Sequence, residues 1–292
     1  MISILIPTYN YNVLPLVQEI YSQIKLTGTK FEIIVIEDGS PKNENTSTNE
    51  KINEIENCYF ERNDTNRGRT KTRLLLSQKA KYNWLLFLDA DVIPVTKNFI
   101  EKYISLIDHE QKVIVGGYQY KESTATQESI LRYSYGKNVE EKKVTYRNSK
   151  PYQYIFSGNI LLNKDVFLEN NYIGDTIYYG MDVYFSYQLF LNKIKVEHID
   201  NPIYHLGLET NEIFFNKSLD AVTTKKVYLS KLKDIDKINS LIKYYNLLKK
   251  YNLEKVIAIG FKITEPFLKR MIFKKNPSLF CFNLYRLGFI CQ

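Results

Sequence analysis

Short apolar runs alternate with amphipathic stretches along the first 117 residues of the chain. The apolar runs predict β-strands over residues 2–6, 31–36, 58–62, 84–88 and 113–117. The stretches between them predict helices over residues 13–25, 69–79 and 98–109, and a loop with a weak helix over residues 41–53. Strands that alternate with helices predict an α/β fold with a mostly parallel, twisted sheet flanked by helices on both faces.

The pattern is less regular after residue 117. Residues 118–150 are polar, rich in Tyr, Lys and Glu, and without a sustained period, which predicts a loop-rich segment. The elements predicted after it are a strand over 155–162 interrupted by Ser157-Gly158-Asn159, a helix after Asn163, a helix over 183–192 that follows Gly180-Met181-Asp182, and strands over 194–199 and 203–206.

Charge divides the chain near residue 217. Residues 1–216 carry 24 basic and 27 acidic side chains, whereas residues 217–292 carry 16 and 5, so the net charges are −3 and +11. Apolar residues recur at helical intervals between the lysines of the second segment: Val227, Leu232, Ile235, Ile238, Leu241, Tyr245 and Leu248. We therefore predict an α/β domain over residues 1–216 and a helical, basic and aromatic tail over residues 217–292.

The cysteines, the apolar segments and one missing motif narrow the class of protein. Cys58, Cys281 and Cys291 have no metal-ligand spacing and form no even framework, which favours a reducing compartment. The chain starts directly with a predicted strand, and no segment reaches the about 18–20 apolar residues of a membrane-spanning helix. No Gly-x-Gly-x-x-Gly follows the first strand, which argues against a dinucleotide-binding enzyme. These features predict a cytoplasmic protein.

Two carboxylates end the apolar run at residues 84–88. Asp89 and Asp91 are separated only by Ala90, at the carboxyl edge where open α/β sheets bind ligands. Such a pair can offer hard oxygen ligands to Mg²⁺ or Mn²⁺ and leave coordination positions for substrate phosphates. The alternative is a strand end capped by Asp before the turn at Pro94.

Five motifs follow one another along this pattern: Pro7-Thr8-Tyr9-Asn10, Glu37-Asp38-Gly39-Ser40, Asn66-Arg67-Gly68 with Arg73, Asp89-Ala90-Asp91, and Gly180-Met181-Asp182. Their order and spacing resemble the family 2 glycosyltransferases of GT-A fold over about residues 1–210. The resemblance implies a nucleotide-binding half over residues 1–117, an acceptor-side half over residues 118–216, and a divalent cation, Mn²⁺ or Mg²⁺.

The resemblance also implies roles for individual residues. The loops with Tyr9 and Asp38 would hold the base and ribose of a nucleotide-sugar donor, and Arg73 would place the nucleotide or its diphosphate. Asp91 would be the direct metal ligand, and Asp89 a ribose or water-mediated partner. The other residues implied in donor binding are Pro7, Thr8, Glu37, Asn66, Gly68 and Ala90.

The resemblance implies that Asp182 is the general base, since in the family this residue lies at the start of a helix that faces the donor. Without the resemblance, Asp182 would be interpreted as an ordinary acidic residue at a helix N-terminus. Many members have Glu-Asp here, and this chain has Met181-Asp182. His205 is predicted either as a second group on the metal or diphosphate or as a packing residue. Ser157, Gly158 and Asn159 either border the acceptor or form only a turn before a strand.

The predicted function is therefore an inverting sugar transfer from a UDP-sugar, with GDP- and dTDP-sugars open, to a hydroxyl of a glycan or lipid-linked glycan of a bacterial surface polysaccharide. Two alternatives remain at this point. One is a haloacid-dehalogenase-type phosphatase with Asp89 as nucleophile and Asp91 as acid. The other is a binding module that keeps the nucleotide pocket without turnover.

The tail also has more than one interpretation. Its lysines and aromatic residues fit peripheral attachment to the anionic inner face of the plasma membrane, where a lipid-linked acceptor would be met. A helical cap on the fold is the alternative. Nucleic acid is not an expected partner.

Overall fold

The computed structural model describes residues 1–107, 113–174 and 179–292. The chain forms two compact units. The first comprises Met1–Gln119, Lys142–Ile177 and Gln188–Gly207, and the second comprises Tyr120–Glu141, Tyr178–Tyr187 and Leu208–Gln292.

The described residues form ten strands, all in the first unit: β1 Ile2–Thr8, β2 Phe31–Glu37, β3 Cys58–Arg62, β4 Trp84–Leu88, β5 Val92–Pro94, β6 Val113–Val115, β7 Tyr118–Gln119, β8 Asn159–Asn163, β9 Val196–His198 and β10 Ile203–His205. The main sheet has the order β3-β2-β1-β4-β8-β6-β9, and a small sheet has the order β5-β10-β7. Strands β1 to β4 pair in parallel, and β8 runs antiparallel to both β4 and β6.

Twelve α-helices lie in the described ranges: α1 Leu14–Lys25, α2 Glu44–Glu50, α3 Arg69–Lys79, α4 Phe99–Ile104, α5 Ile130–Tyr135, α6 Val144–Asn148, α7 Lys164–Asn170, α8 Asp182–Leu191, α9 Asn211–Thr224, α10 Ser240–Lys250, α11 Glu254–Ile272 and α12 Leu279–Cys291. Helices of the first half alternate with the parallel strands, as the sequence predicts. The α/β fold with a mostly parallel sheet is confirmed.

The buried strands β1, β2 and β4 explain why the sheet forms. Every residue of β2 and β4 is buried, as expected for strands covered on both faces, and all of them except Glu32 and Glu37 are apolar. The register places Thr8 beside Glu37, and Glu37 beside Arg62. The carboxyl ends of the first three strands are therefore level, and their loops emerge at one edge of the sheet.

Two predicted segments are wrong in detail. The alternative interpretation of the Asp89-Ala90-Asp91 motif places a turn at Pro94, but Val92–Pro94 forms β5 and pairs antiparallel with β10, with Val92 opposite His205. Residues 118–150 contain α5 and α6 in place of a mainly irregular segment. Leu131 of α5 is fully buried in an aromatic cluster, so tertiary packing stabilises a helix that has no sustained period in the sequence.

The helices of the second unit pack around a core of aromatic residues. Its buried members are Leu131, Phe214, Phe215, Phe261, Leu268, Ile272, Cys281, Phe282 and Tyr285. The predicted boundary at residues 216 and 217 falls inside α9, whose Phe214 and Phe215 share this core with α12. The helical nature of the tail is confirmed. Among the described residues, no helix combines the length and apolar character needed to cross a membrane.

Candidate functional site

The loops after β1 and β2 are tied together at the carboxyl edge of the sheet. The Asn10 amide donates to Ser40 Oγ at 2.7 Å, and the Asp38 amide donates to the Thr8 carbonyl at 2.9 Å. Asn10 has a φ of +48°, a left-handed conformation that Asn tolerates better than most residues. Tyr9, beside it, is 54% exposed. The loop thus presents the Tyr9 ring to solvent next to the buried end of β1.

Asp38 organises the loop that leads into α3. Its Oδ1 accepts from Asn63 Nδ2 at 3.0 Å and from the Arg67 amide at 2.9 Å, and its Oδ2 accepts from the Gly68 amide at 2.8 Å. A carboxylate has about four acceptor positions. Three of these positions are used within the protein, which leaves one on Oδ2 of a side chain that is 5% exposed.

Other residues of these motifs have packing roles. Glu37 is fully buried, accepts from Thr46 Oγ1 at 3.2 Å and lies 3.5 Å from Arg62 Nε. Thr8 is 3% exposed and its Oγ1 donates to the Tyr11 carbonyl. Gly68 has a φ of +82° immediately before α3, while Asn66 is exposed. The structure thus brings all three motifs to the sheet edge but leaves only some of their side chains accessible.

Asp89 sits at the end of β4 in a network of cationic and hydroxyl groups. Arg69 Nη2 lies 2.7 Å from both carboxylate oxygens, Arg73 Nη2 donates to Oδ1 at 2.6 Å, and Tyr118 Oη donates to Oδ2 at 3.1 Å. Burial acts to raise the pKa of Asp89, but the guanidinium groups of Arg69 and Arg73, with His205 and Tyr118, hold it well below its usual range. Asp89 is therefore a carboxylate at neutral pH.

Asp91 follows Asp89 by two residues and is the more accessible carboxylate. Its side chain is 28% exposed, against 13% for Asp89, and its Oδ2 lies 3.6 Å from His205 Nε2. The pairing of β5 with β10 produces this proximity, because Val92 lies opposite His205. Burial and the neighbouring Asp89 carboxylate raise the pKa of Asp91, which His205 and Arg69 partly oppose.

Two glycines make room for the two carboxylates. A Cβ added to Gly158 would lie 2.0 Å from Asp89 Oδ2, and one added to Gly207 would lie 2.1 Å from Asp91 Oδ2. The backbone is also joined there, since the Asp89 amide donates to the Gly158 carbonyl at 3.2 Å and the Leu206 amide donates to the Asp91 carbonyl at 2.8 Å. On one side, each carboxylate therefore packs against a glycine, which has no side chain.

The residues around Asp91 fit an open divalent-cation site. Asp91 and His205 supply one carboxylate and one imidazole, a mixed oxygen and nitrogen set that Mn²⁺ accepts. No three His, Cys, Asp or Glu side chains within the described ranges are grouped to hold a metal by themselves. Such a site would need oxygen ligands from a substrate or from water to complete its coordination, as Mg²⁺ and Mn²⁺ sites that bind nucleotide phosphates do.

Asn159, the third residue of the Ser157-Gly158-Asn159 segment, is part of the interior of the fold. It is fully buried, its Nδ2 donates to the carbonyls of Gly117 and Asn201 at 2.8 and 3.0 Å, and its Oδ1 accepts from Tyr103 Oη at 2.7 Å. These bonds use its carboxamide to join β8 to α4 and the neighbouring loops, so its polar atoms are already bonded within the protein.

Asp182 lies in the second unit, at the first position of α8, and is exposed. Met181 is only 6% exposed, which gives a physical reason for an apolar residue beside the carboxylate. Gly180 has a φ of +85°, and its added Cβ would lie 3.0 Å from Ala221 Cβ. Asp182 therefore stands at the solvent side of a turn that packs against α9.

A buried lysine accompanies Asp182. Lys225 is 7% exposed, and its Nζ lies 3.5 Å from the Ala221 carbonyl. Burial and the positive charge of Arg286 lower its pKa to about 7, while the negative charge of Asp182 opposes that shift.

The sequence does not single out Lys225, Arg69, Tyr118 or Gly207. Arg69, one residue after the Asn66-Arg67-Gly68 motif and one turn before Arg73, carries the clearest local signal of the four.

Comparison with known proteins identifies the family. A family model, "Glycosyl transferase family 2", matches residues 3–169, which is more than half of the chain. No curated protein sequence matches significantly.

Among solved structures, residues 1–349 of TarS from S. aureus are 17% identical with a TM-score of 0.51, over 98% of this chain and 90% of that one. The same TarS fragment in complex with UDP-GlcNAc is 16% identical, with a TM-score of 0.50 over the same shares of the two chains. The mannosyltransferase PcManGT from Pyrobaculum calidifontis, in complex with GDP-Man and Mn²⁺, is 13% identical with a TM-score of 0.60, over 99% and 85%. These likenesses support the fold, and the family match supports an enzyme that transfers glycosyl groups. The chain belongs to glycosyl transferase family 2.

Proposed function

We propose that the protein transfers a sugar from a nucleotide-diphosphate sugar, a UDP-sugar in the first instance, to a hydroxyl group of a glycan or lipid-linked glycan, with inversion at the anomeric carbon. The observation that carries the proposal is the arrangement at the sheet edge. Asp38 lies at the carboxyl end of β2, and Asp89 and Asp91 follow the carboxyl end of β4. Strand β1 pairs with both β2 and β4, and α/β sheets bind nucleotides at this edge. The similar TarS structure holds UDP-GlcNAc and PcManGT holds GDP-Man, which supports a nucleotide-sugar donor.

The donor would be held by the loops of the first unit. The exposed Tyr9 ring is suited to stack on a base, and the remaining acceptor position of Asp38 is suited to a base N–H or a ribose hydroxyl. Arg69 and Arg73 would act on the donor through Asp89, because their guanidinium groups fix that carboxylate beside Asp91. Arg73, at 4% exposure, is thereby a positioning residue.

A divalent cation, Mn²⁺ or Mg²⁺, would be held by Asp91 and His205, whose contact at 3.6 Å supports this assignment. When bound, it would neutralise the charge that develops on the diphosphate leaving group. Because Gly207 has no side chain, the Asp91 carboxylate would have room to rotate toward a ligand.

Asp182 would be the general base. The acceptor oxygen forms a bond to the anomeric carbon while the bond from that carbon to the diphosphate oxygen breaks, and the hydroxyl proton passes to Asp182. The nucleoside diphosphate leaves with the bonding electron pair. A general base typically contributes about 10² to 10⁴ in rate. The exposed position of Asp182 at the start of α8 supports this role, since an incoming acceptor can reach its carboxylate.

A thermal-shift screen of UDP-, GDP- and dTDP-sugars, with and without Mn²⁺, tests the donor. A donor at 100 times its Kd should stabilise the protein by about 2.7 kcal/mol, and only in the presence of the cation if the metal bridges donor and protein. Asp182→Asn then tests the base: turnover should fall by about 10² or more while donor affinity is kept. Normal turnover per bound donor in that variant would assign the proton transfer to another group.

The acceptor and the location of the enzyme are also part of the proposal. We assign the enzyme to bacterial surface polysaccharide synthesis, at the cytoplasmic side of the membrane where lipid-linked acceptors are elongated. The net charge of +11 on residues 217–292 supports a peripheral position near anionic lipid.

The phosphatase alternative is less consistent with the geometry. Its nucleophile would be Asp89, but Arg69 bridges both oxygens of that carboxylate, and Arg73 and Tyr118 bind one oxygen each. A nucleophilic oxygen needs an open approach to phosphorus. The family assignment and this blocked carboxylate both favour glycosyl transfer.

A further inference from the structure

Helix α11 exposes an apolar stripe on the side opposite its buried face. We call this set the α11 stripe; it consists of Val256, Ile259, Ile263 and Phe267, which are 62%, 64%, 77% and 61% exposed. Spacings of three and four residues place the four side chains on one face of the helix, over about 16 Å of its length. Phe261 and Leu268 on the opposite face lie in the aromatic core. Helix α11 is therefore apolar on two faces, and only one of them is covered by the described residues.

Helix α10, which precedes α11 in the chain, also exposes apolar residues. Tyr244 and Leu247 of α10 are 55% and 47% exposed, and Tyr251, the residue that follows the helix, is 61% exposed. Leu253, just before α11, is 45% exposed. Single exposed apolar residues are ordinary in proteins, but a row of four along one face of a helix, such as the α11 stripe, indicates an interaction surface.

Positive charge borders the stripe. Lys255, Lys262 and Lys269 are spaced by seven residues, which aligns them along one edge of α11. Lys269 pairs with Glu265 at 3.1 Å, whereas Lys255 and Lys262 form no ion pair with any residue that the structure describes. Residues 249–275 contain eight basic and two acidic side chains. The surface thus combines an apolar face with uncompensated lysines.

We propose that the α11 stripe is a membrane-docking surface, with its apolar side chains in the headgroup and acyl boundary of a bilayer and its lysines against anionic headgroups. An anionic bilayer satisfies both properties of the surface at once. A second copy of the chain would bring the same positive charge against these lysines, and a nucleic acid would leave the apolar side chains in water. The helix lies on the membrane and does not cross it.

The structure also divides the tail's aromatic residues into two groups. Phe261, Phe282 and Tyr285 are at most 4% exposed and belong to the core, whereas Phe267 and Phe280 are 61% and 72% exposed. The buried group is not available to lipid, whereas Phe267 and Phe280 are.

Cosedimentation of the full chain with phosphatidylcholine vesicles, with and without one-third phosphatidylglycerol, tests the proposal. The protein should bind the anionic vesicles and be released by salt. The double variant Ile263→Ser/Phe267→Ser should lower the partition coefficient at least about tenfold. Leu26→Ser, which removes an 88% exposed apolar side chain from the first unit, is the matched control and should bind like the wild type.

A second pair of variants tests the charge. Lys255→Gln/Lys262→Gln should weaken binding to the anionic vesicles about thirtyfold, since each lysine near a charged surface contributes about a factor of five. Lys30→Gln/Lys51→Gln changes two exposed lysines of the first unit and should have little effect.

Three results would overturn the proposal. The first is a wild-type chain that stays in the supernatant with both vesicle types. The second is a stripe variant that binds the anionic vesicles as tightly as the wild type does. The third is a wild-type dimer that the stripe variant converts to a monomer without vesicles, which would assign the stripe to a subunit interface. Unchanged melting temperatures exclude misfolding of the variants. Binding is measured without donor or acceptor, so the outcome does not depend on the proposed catalysis.

Discussion

Gly207→Ala is expected to disable the proposed metal site without unfolding the protein. The added Cβ would lie 2.1 Å from Asp91 Oδ2 and 2.8 Å from its Cβ and Cγ. The first distance is about 1.3 Å short of an ordinary 3.4 Å contact. The backbone at Gly207 does not have a positive φ, so alanine is tolerated there and the steric conflict falls on the Asp91 carboxylate.

The size of this displacement sets the expected effect. Metal ligands must stay within about 0.2 Å of their preferred distances, and a carboxylate that rotates away by about 1 Å no longer fits the coordination sphere. We expect Mn²⁺-dependent nucleotide affinity to fall by about 10² or more, approaching the complete loss expected for Asp91→Ala. The melting temperature without ligand should change little, because the carboxylate is partly exposed and can turn toward solvent.

Isothermal titration of UDP in the presence and absence of Mn²⁺ measures this effect. Gly260→Ala is the matched control, since an added Cβ there meets nothing within 4 Å. The control should bind UDP like the wild type. If Gly207→Ala also binds UDP with wild-type affinity and the same dependence on Mn²⁺, Asp91 is not the metal ligand in the geometry described.

Two further predictions concern the second unit. Lys225→Met should stabilise the protein more at pH 6 than at pH 10. Burial lowers the pKa of Lys225 to about 7 in the folded protein, against a pKa near 10.5 in the unfolded chain. The free-energy cost of burying the ammonium group is therefore complete below pH 7 and declines as the pH rises from 7 to 10.5. Urea unfolding at both pH values checks this, and an equal gain at the two would contradict the burial of a charged lysine. Phe282→Ala should destabilise the protein by about 3–5 kcal/mol, because this side chain is fully buried in the aromatic core, whereas Phe280→Ala, 72% exposed, should be near neutral. Equal midpoints for the two Phe variants would show that the tail is not packed as described.

By itself, the sequence determined the α/β architecture and the position of the site along the chain. Continuous apolar runs specify strands buried on both faces, and their alternation with helices specifies a parallel sheet. Because the carboxyl ends of parallel strands lie at one edge, the motifs at Tyr9, Asp38 and Asp89 could be expected together without knowledge of any contact.

Only the tertiary structure decided which side chains meet within that site. Arg69 and Tyr118 are 20 and 29 residues from Asp89 in sequence, and their contacts depend on how α3 and β7 pack. The antiparallel pairing of β5 with β10 brings His205 to Asp91, and the open backbone at Gly207 leaves room for that carboxylate. The tail shows the same division, because composition predicts its charge and its helices, while packing chooses which aromatic residues are buried. Local patterns report periodicity and turn chemistry, but contacts between distant segments depend on register and packing, which no local window contains.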